Sequence, residues 1–427
     1  MPITIPFTKG INNTARLERL PDGFVREAIN LNIDNSGIAS QRDGFGLVIT
    51  GEVTAIWSDN IRCFAIIDGD LKEVLSDYTV STTLRAGIGR IRIDFTRVNG
   101  NYYYCGSSVC GVIAGNVAHS FGQEIVTRQP TLTEANGGAL LSGNYLVAVT
   151  LLDDNGIESG TAEPRLITLS ADNKAIRLTD LFGPHDARSA YLAIYVSQRD
   201  GSELFRQGII AVGTSEVSIY EVDAHTKPLD TVGIFPAPTG QLIAHHYSHL
   251  FIAQGKTLFY SLPKQYERWN PFDNYKYPSN ITALCPCESG LWVGTEKDGL
   301  FWISGRQPSH GAEALGDFSQ AKKQHTSRPL LGSQQLIPAE FIVGGNGQYG
   351  YMVTAHDGMI LLMDGGQLAN VSQQNVLLPE FTSCASAVIR HQDSFNYVAI
   401  VSGAKVPARG YELQPYVPVW DNGVWGE

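Results

Sequence analysis

A short unit recurs along this chain, and Ile281–Gly305 shows it most plainly. The stretch reads ITALCPCESGLWVGTEKDGLFWISG. An apolar run, Ile281 to Leu284, is followed by a polar break and a second run, Leu291 to Thr295. Asp298-Gly299 then leads into a third run, Leu300 to Ser304. Leu, Trp, Val, Phe and Ile favour strands. An Asp-Gly pair suits a type I′ hairpin, whose two central residues both need positive φ. The unit is therefore expected to be a meander of three short antiparallel strands. Such a unit cannot bury both faces alone and needs neighbours of its own kind.

Six units of this type are expected. Their first strands begin near Val53, Ile91, Leu242, Ile281, Phe341 and Ala385, and Asp68-Gly69, Gly255-Lys256 and Asp357-Gly358 mark turns at matching places. Starts 38, 39 and 44 residues apart approach the roughly 40–45 residues of a four-stranded propeller blade. The interval before Phe341 is longer, and the polar stretch Gly305–Leu330 is read as a loop. Ala312–Lys323 holds the strongest helix signal, enough for a turn or two. The fold class expected is all-β, a β-propeller of about six blades.

The interval between Ile91 and Leu242 is too long for one blade. It contains GNYLVAVTLLDDNGIESG (Gly143–Gly160) and AYLAIYVSQRDGSELFRQGII (Ala190–Ile210). Strands of six to eight residues alternating with turn clusters fit a small β-sandwich. The expected organisation is an N-terminal arm and hairpin over 1–50, propeller segments over 51–121 and 224–427, and an inserted sandwich over 122–223. Within the first segment, residues 1–26 read as an extended arm and Ala28–Val48 as a hairpin turning at Asn35-Ser36-Gly37. Whether that hairpin pairs with Tyr416–Trp420 to close the circle decides between six blades and seven.

Charge limits the partners. The chain carries a formal charge of −11, and Gly122–Asp223 holds 14 acidic against 7 basic side chains. There is no basic footprint for gripping nucleic acid. No apolar run approaches the ~20 residues of a membrane helix. The first residues lack the basic and apolar regions of a signal peptide, which implies a cytoplasmic product. Six cysteines in 427 residues are too sparse for a disulfide framework.

Several motifs invite chemistry. Gly345, Gly347 and Gly350 have dinucleotide-loop spacing, but a strand follows where a helix is needed. His245, His246 and His249 resemble a metal set, yet on one strand His245 and His249 would face away from His246. Cys285 and Cys287 have no second tight pair to complete a zinc site and read as core. Asp153-Asp154-Asn155-Gly156 lacks the flanking helices of a calcium loop and reads as a turn. Trp269, Phe272, Tyr275 and Tyr277 could stack on sugars, but read better as pins for a loop between blades. No catalytic, cofactor-binding or metal-ligating residue is expected.

Three stretches carry a resemblance. KGINNTARLERLPDGFVREAINLNIDNSGIASQRDGF (Lys9–Phe45), ERWNPFDNYKYPSNITALCPCESGLWVGTEKDGLFWISG (Glu267–Gly305) and Gly350–Ser372 look like the tail nozzle and head-closure proteins of short-tailed bacteriophages. In the first, the shared features are Gly10–Asn13, Leu20-Pro21, Ala28-Ile29-Asn30 with Asp34, Ser36-Gly37 and Arg42–Phe45. The insert resembles fibronectin type III modules in Gly143–Gly160 and Leu192–Gly201. The resemblance implies a non-enzymatic virion protein in the tail. Its subunits would form a ring, usually of six, below the portal and adaptor rings. That ring would extend the channel for double-stranded DNA and hold the packaged genome until ejection. A receptor-binding propeller that takes host glycan is the second reading, and a glycosidase-type enzyme the third.

Overall fold

The computed structural model describes residues 9, 11–26, 31–33, 39–41, 46–59, 61–181, 188–305, 321–342, 348–372, 380–391, 394–403, 420–421 and 424–425. Their regular structure is strands and two short 3-10 turns, with no α-helix among the described residues. Consequently no helix there is long and apolar enough to cross a membrane. The chain divides into two compact units. One runs from Val48 to Tyr277, and the other draws on Met1–Leu47, Pro278–Arg306 and Ser319–Glu427.

The first unit opens with two four-stranded antiparallel meanders. The first is β3 (Val53–Ser58), β4 (Cys63–Ile67), β5 (Asp70–Val74) and β6 (Val80–Arg85). The second is β7 (Ile93–Val98), β8 (Asn101–Gly106), β9 (Cys110–Ala114) and β10 (Val117–Ser120). Asp68-Gly69 joins β4 to β5 with both residues at positive φ, as a type I′ turn requires. The two sheets share one core, where Phe64 stacks on Phe95 with centroids 5.4 Å apart and Trp57 covers both. A third meander follows the insert: β18 (Leu242–His246), β19 (His249–Gln254), β20 (Thr257–Leu262) and β21 (Gln265–Lys276). It packs on the second through Tyr103, Phe121, Ile243, Leu250 and Trp269.

Between them lie seven strands in two sheets. β11 (Thr131–Leu140), β14 (Lys174–Thr179) and β17 (Glu216–Ile219) form one. β13 (Arg165–Leu169), β12 (Gly143–Leu152), β15 (Tyr191–Ser197) and β16 (Leu204–Ala211) form the other. Alternate residues from both sheets, among them Val147, Val149, Leu151, Ile176, Leu178, Leu192 and Ile194, make a shared aliphatic core. This is the face-to-face packing that period-two patterning specifies. The first and last strands are the two edges of the three-stranded sheet, so the chain enters and leaves through one layer. Just outside the sandwich, Ala237 N–H donates to Phe121 O at 2.9 Å, tying the outgoing chain to the incoming one.

The second unit holds two further four-stranded meanders. They are β22 (Ile281–Cys287), β23 (Gly290–Thr295), β24 (Gly299–Ser304) and β25 (Ala321–His325), then β26 (Gln335–Ile337), β27 (Gly350–Thr354), β28 (Ile360–Asp364) and β29 (Gln367–Asn370). A hairpin of β30 (Ser383–His391) and β31 (Ser394–Ser402) follows. Small two-stranded pairs are formed by β1 (Leu31–Ile33) with β2 (Ala39–Gln41) and by β32 (Trp420–Asp421) with β33 (Val424–Trp425). Residues 416–419 of the expected closing strand lie outside the described residues.

Several expectations need correction. The unit at Ile281–Gly305 has a fourth strand, β25, inside the stretch read as a loop. Its AKKQH sequence is mostly exposed, so it carries no apolar alternation. Of the suspected helical segment, residues 312–320 lie outside the described residues and Ala321–Lys323 is strand. The fifth meander starts at Gln335, not Phe341: Pro338 lacks an N–H for a ladder, and Ala339–Phe341 form a 3-10 turn. Asp298-Gly299 is not a type I′ turn, because only Gly299 has positive φ, at +97°. The Asp298 carboxylate instead accepts from Ser279 Oγ at 2.5 Å, and a Cβ on Gly299 would collide with His325 O. Finally, the stretch read as an extended arm folds back locally: Asn12 N–H donates to Val25 O at 2.8 Å, and the Asn12 side chain caps Thr14 and Ala15.

Candidate functional site

Strand β21 is the structural anomaly of the first unit. It has twelve residues against the six of its partner β20. Pairing jumps from Ser261↔Trp269 to Phe259↔Asn274, so the intervening residues project from the sheet. The projection is internally braced. Asn270 Oδ1 accepts from Phe272 N–H at 3.0 Å, and Asn274 Nδ2 donates to Pro271 O at 2.8 Å. The aromatic cluster read from the sequence is therefore split. Trp269, Tyr275 and Tyr277 are buried, whereas Phe272 at the tip is 76% exposed. Two residues pin the segment, Trp269 edge-on to Phe121 and Tyr275 against Tyr260. Phe272 does not.

The first half of β21 lines a cleft of about 440 Å³. Tyr103, Lys264, Gln265, Tyr266, Glu267 and Arg268 form one side, and the insert turn Gly156-Ile157 the other. That turn is held by Asp153, whose Oδ1 accepts from Asn155 N–H and Ile157 N–H at 3.0 and 2.7 Å. Its other oxygen binds Arg188 Nε at 2.7 Å. Arg188 is a clamp: Nη1 also reaches Glu267 Oε2 at 2.5 Å and Ser120 O at 2.8 Å. One guanidinium thus joins the insert turn, the end of β10 and β21. Gly122 sits at the same neck with φ +93°, and a Cβ there would lie 2.6 Å from Glu267 O. The sequence has no signal for this clamp, since Arg188 binds partners 35 and 79 residues away.

Polar and charged groups line the cleft. Burial, then the nearby Glu267, push the Tyr103 hydroxyl up to about 12, so it stays neutral and can only donate, accept or stack. The Asp153 and Glu267 carboxylates both face Arg188. Lys264 and Arg268 add positive charge, with Arg268 bonded to Gln265 at 3.0 Å and 3.6 Å from Asp230.

The other candidates fall elsewhere. Tyr247 and Ser248 turn the chain between β18 and β19, so His246 and His249 sit directly opposite each other and share a face. This reverses the facing expected for one continuous strand. His249 Nδ1 lies 2.7 Å from Ser261 O, in an aromatic nest with Phe251 and Tyr260. His245 lies edge-on to Tyr266, and burial lowers its pKa. Cys285 and Cys287 are buried in the core with Trp292 and Met363, and burial pushes Cys287 up to about 12. Gly345 and Gly347 lie outside the described residues, and Gly350 opens a strand. Among the described residues no three His, Cys, Asp or Glu side chains are placed to hold a metal ion.

No protein-family model matches the chain, and no curated protein does. Among solved structures, BBS1N in complex with ARL6DN aligns at 12% identity and a TM-score of 0.33, over 83% of this chain and 90% of that one. The computationally designed Ika8 protein aligns at 13% and 0.24, over 79% and 92%. Saccharomyces cerevisiae Sqt1 aligns at 11% and 0.21, over 74% and 97%. Similarities this low assign neither family nor function.

Proposed function

We propose that this chain is a structural virion protein of a short-tailed bacteriophage, a tail nozzle or head-to-tail closure subunit. In this reading its meanders are the blades of a roughly six-bladed propeller, and the sandwich is a fibronectin type III-like insert. Copies form a ring, six by resemblance, that docks on the adaptor and portal rings and conducts DNA without reading its sequence. The reading rests on one observation: three stretches that resemble the family, Lys9–Phe45, Glu267–Gly305 and Gly350–Ser372, lie along a chain of four-stranded meanders. The charge agrees with it, because a duplex slides most freely past a wall without basic footholds. Electron microscopy of virions carrying an epitope tag on this chain tests it. A ring at the portal-distal side of the adaptor is expected. A chain absent from particles overturns the proposal.

A second reading is kept because of the cleft. Its volume falls within the usual 300–1,000 Å³ of a ligand site, and Tyr266, Lys264 and Arg268 could stack on and bond an acidic sugar. Polysaccharide binding by purified protein, lost in Tyr266→Ala, would favour this host-glycan role.

A further inference from the structure

Cys105 and Cys110 are free thiols. Cys63 stands opposite Val74, Cys285 opposite Trp292, Cys287 opposite Gly290 and Cys384 opposite Val401. Cys105 and Cys110 stand opposite each other. The adjoining hairpin defines how they meet. Gly106 N–H donates to Val109 O at 2.7 Å, closing a tight loop over Ser107-Ser108. Hydrogen-bonded and non-hydrogen-bonded pairs alternate along an antiparallel ladder. The next pair inward, Cys105 with Cys110, is therefore a non-hydrogen-bonded one. Side chains are closest there and Cα atoms approach to about 4.5 Å, just inside the roughly 4.4–6.8 Å that a disulfide spans. Both side chains belong to one apolar cluster, Cys105 fully buried and Cys110 at its margin.

We propose that Cys105 and Cys110 are a modification site, a cross-strand dithiol that closes to an intrachain disulfide on meeting a low-molecular-weight disulfide. Cys110 is the entry point because it is the more exposed of the two. Its thiol gives up a proton to solvent, and the thiolate attacks one sulfur of the small disulfide, forming a mixed disulfide and expelling one small thiolate. Burial holds the Cys105 thiol well above its ordinary range, so its proton passes to the departing small thiolate as its sulfur displaces that thiolate from Cys110. The protein gives up two protons and two electrons, and the small disulfide becomes two thiols.

Two features shape the behaviour of this bond. Burial pushes Cys110 up to about 11, so the thiolate is scarce at neutral pH and the first step speeds up roughly tenfold per pH unit below that value. The closed loop is very short, and the entropy removed from the unfolded chain is correspondingly small. The bond is a reversible mark, not a structural staple. Its place is the neck, where Cys110 Sγ lies 3.5 Å from Ala237 O and Ala237 ties the outgoing chain to Phe121. None of this depends on the virion reading.

Oxidised glutathione applied to the full chain at pH 8.5, followed by acid quench, denaturation, alkylation and mass spectrometry, decides the matter. Four alkylated thiols are expected, with a crosslinked Cys105–Cys110 peptide that dithiothreitol reopens. Cys110→Ser should abolish the crosslink and Cys63→Ser should leave it intact. Cys105→Ser should trap glutathione on Cys110, since the displacing thiol is gone. Cys105 and Cys110 both alkylated in the wild-type chain, a lasting glutathione adduct on wild-type Cys110, or a bond from Cys110 to another cysteine or a second chain would each overturn the proposal.

Discussion

The sandwich and the meanders of the first unit solve the same burial problem differently. The sandwich core is aliphatic apart from Tyr145, and its two sheets supply it from opposite faces. The insert therefore completes its own interior. A meander cannot, and its interior is completed by the next sheet. The first and second sheets meet through large rings, Trp57, Phe64, Phe95, Tyr102 and Tyr104. Polar rivets cross between them: Arg62 holds Glu73 at 2.6 Å and reaches Gly115 O, and Arg85 reaches Tyr104 Oη and Cys110 O. A self-contained domain needs only alternation, whereas sheets in series need long side chains that reach across.

The largest expected effects would break this contrast directly. Phe64→Ala empties the centre of the ring stack and should cost about 3–5 kcal/mol. Because the insert does not share that core, hydrogen exchange should show amides around Phe64 and Phe95 opening while Val147–Leu151 stays protected. Equal loss of protection in both would show that insert and meanders unfold as one cooperative body.

Next in size is the clamp. Arg188 has a side chain only 10% exposed, facing carboxylates at 1% and 13%. Arg188→Ala leaves both acids without their cation, a loss of about 3 kcal/mol or more for a buried pair. Arg188→Lys should rescue little, because an ammonium cannot span three acceptors as a planar fork does. Limited proteolysis should show cleavage near Gly122 or Asp154 in the alanine variant, with the sandwich core itself resistant. Full rescue by lysine would argue that charge alone, without the fork geometry, holds the neck.

How much of this was legible in the sequence follows the same divide. Where a strand opens with apolar residues after a polar break, as at Val53, Leu242 and Ile281, its start could be read directly. Where a strand is completed by other sheets, the pattern is lost. β26 has three residues with one buried, and β25 is AKKQH. Phe341 misled because apolarity does not report that Pro338 has removed a ladder donor. The clamp was invisible for a topological reason, since its partners converge only once the insert has folded. The dithiol was readable in principle: four residues separate Cys105 from Cys110, and a hairpin centred on Ser107-Ser108 puts them face to face.

A smaller effect sharpens the account of rivets between sheets. Asp94 Oδ2 accepts from Ile243 N–H at 3.0 Å, joining β7 to β18. Burial, opposed by Arg92 and by this bond, raises the carboxyl to about 6. A carboxyl raised on folding holds its proton more tightly in the native state. Its favourable contribution is complete below about pH 4 and is lost as pH rises through about 6. Asp94→Asn keeps an acceptor for Ile243 and removes the charge. At pH 7.5 it should stabilise the chain by about 1–3 kcal/mol, and at pH 4 it should change little. Urea midpoints at the two values measure this. An equal effect at both would mean the carboxylate is not protonated preferentially in the fold.

The smallest effect on stability belongs to the most conspicuous side chain. Phe272 exposes 76% of its surface on a bulge whose backbone is braced by Asn270 and Asn274. Little apolar area is buried there, so Phe272→Ser should change the urea midpoint by an amount near zero, within about 0.5 kcal/mol. The neighbouring Trp269→Ala, buried to 2%, should cost about 3–5 kcal/mol. The pair isolates what the bulge is for. If the tip is only a by-product of anchoring Trp269 and Tyr275, Phe272→Ser will leave assembly as unchanged as stability. If the braced projection serves to present Phe272, the proposed ring formation or glycan binding will fall while the urea midpoint stays fixed. Sedimentation velocity and polysaccharide pull-down on the same preparation separate these outcomes. A large loss of stability in Phe272→Ser would instead show that the tip is buried in the folded chain.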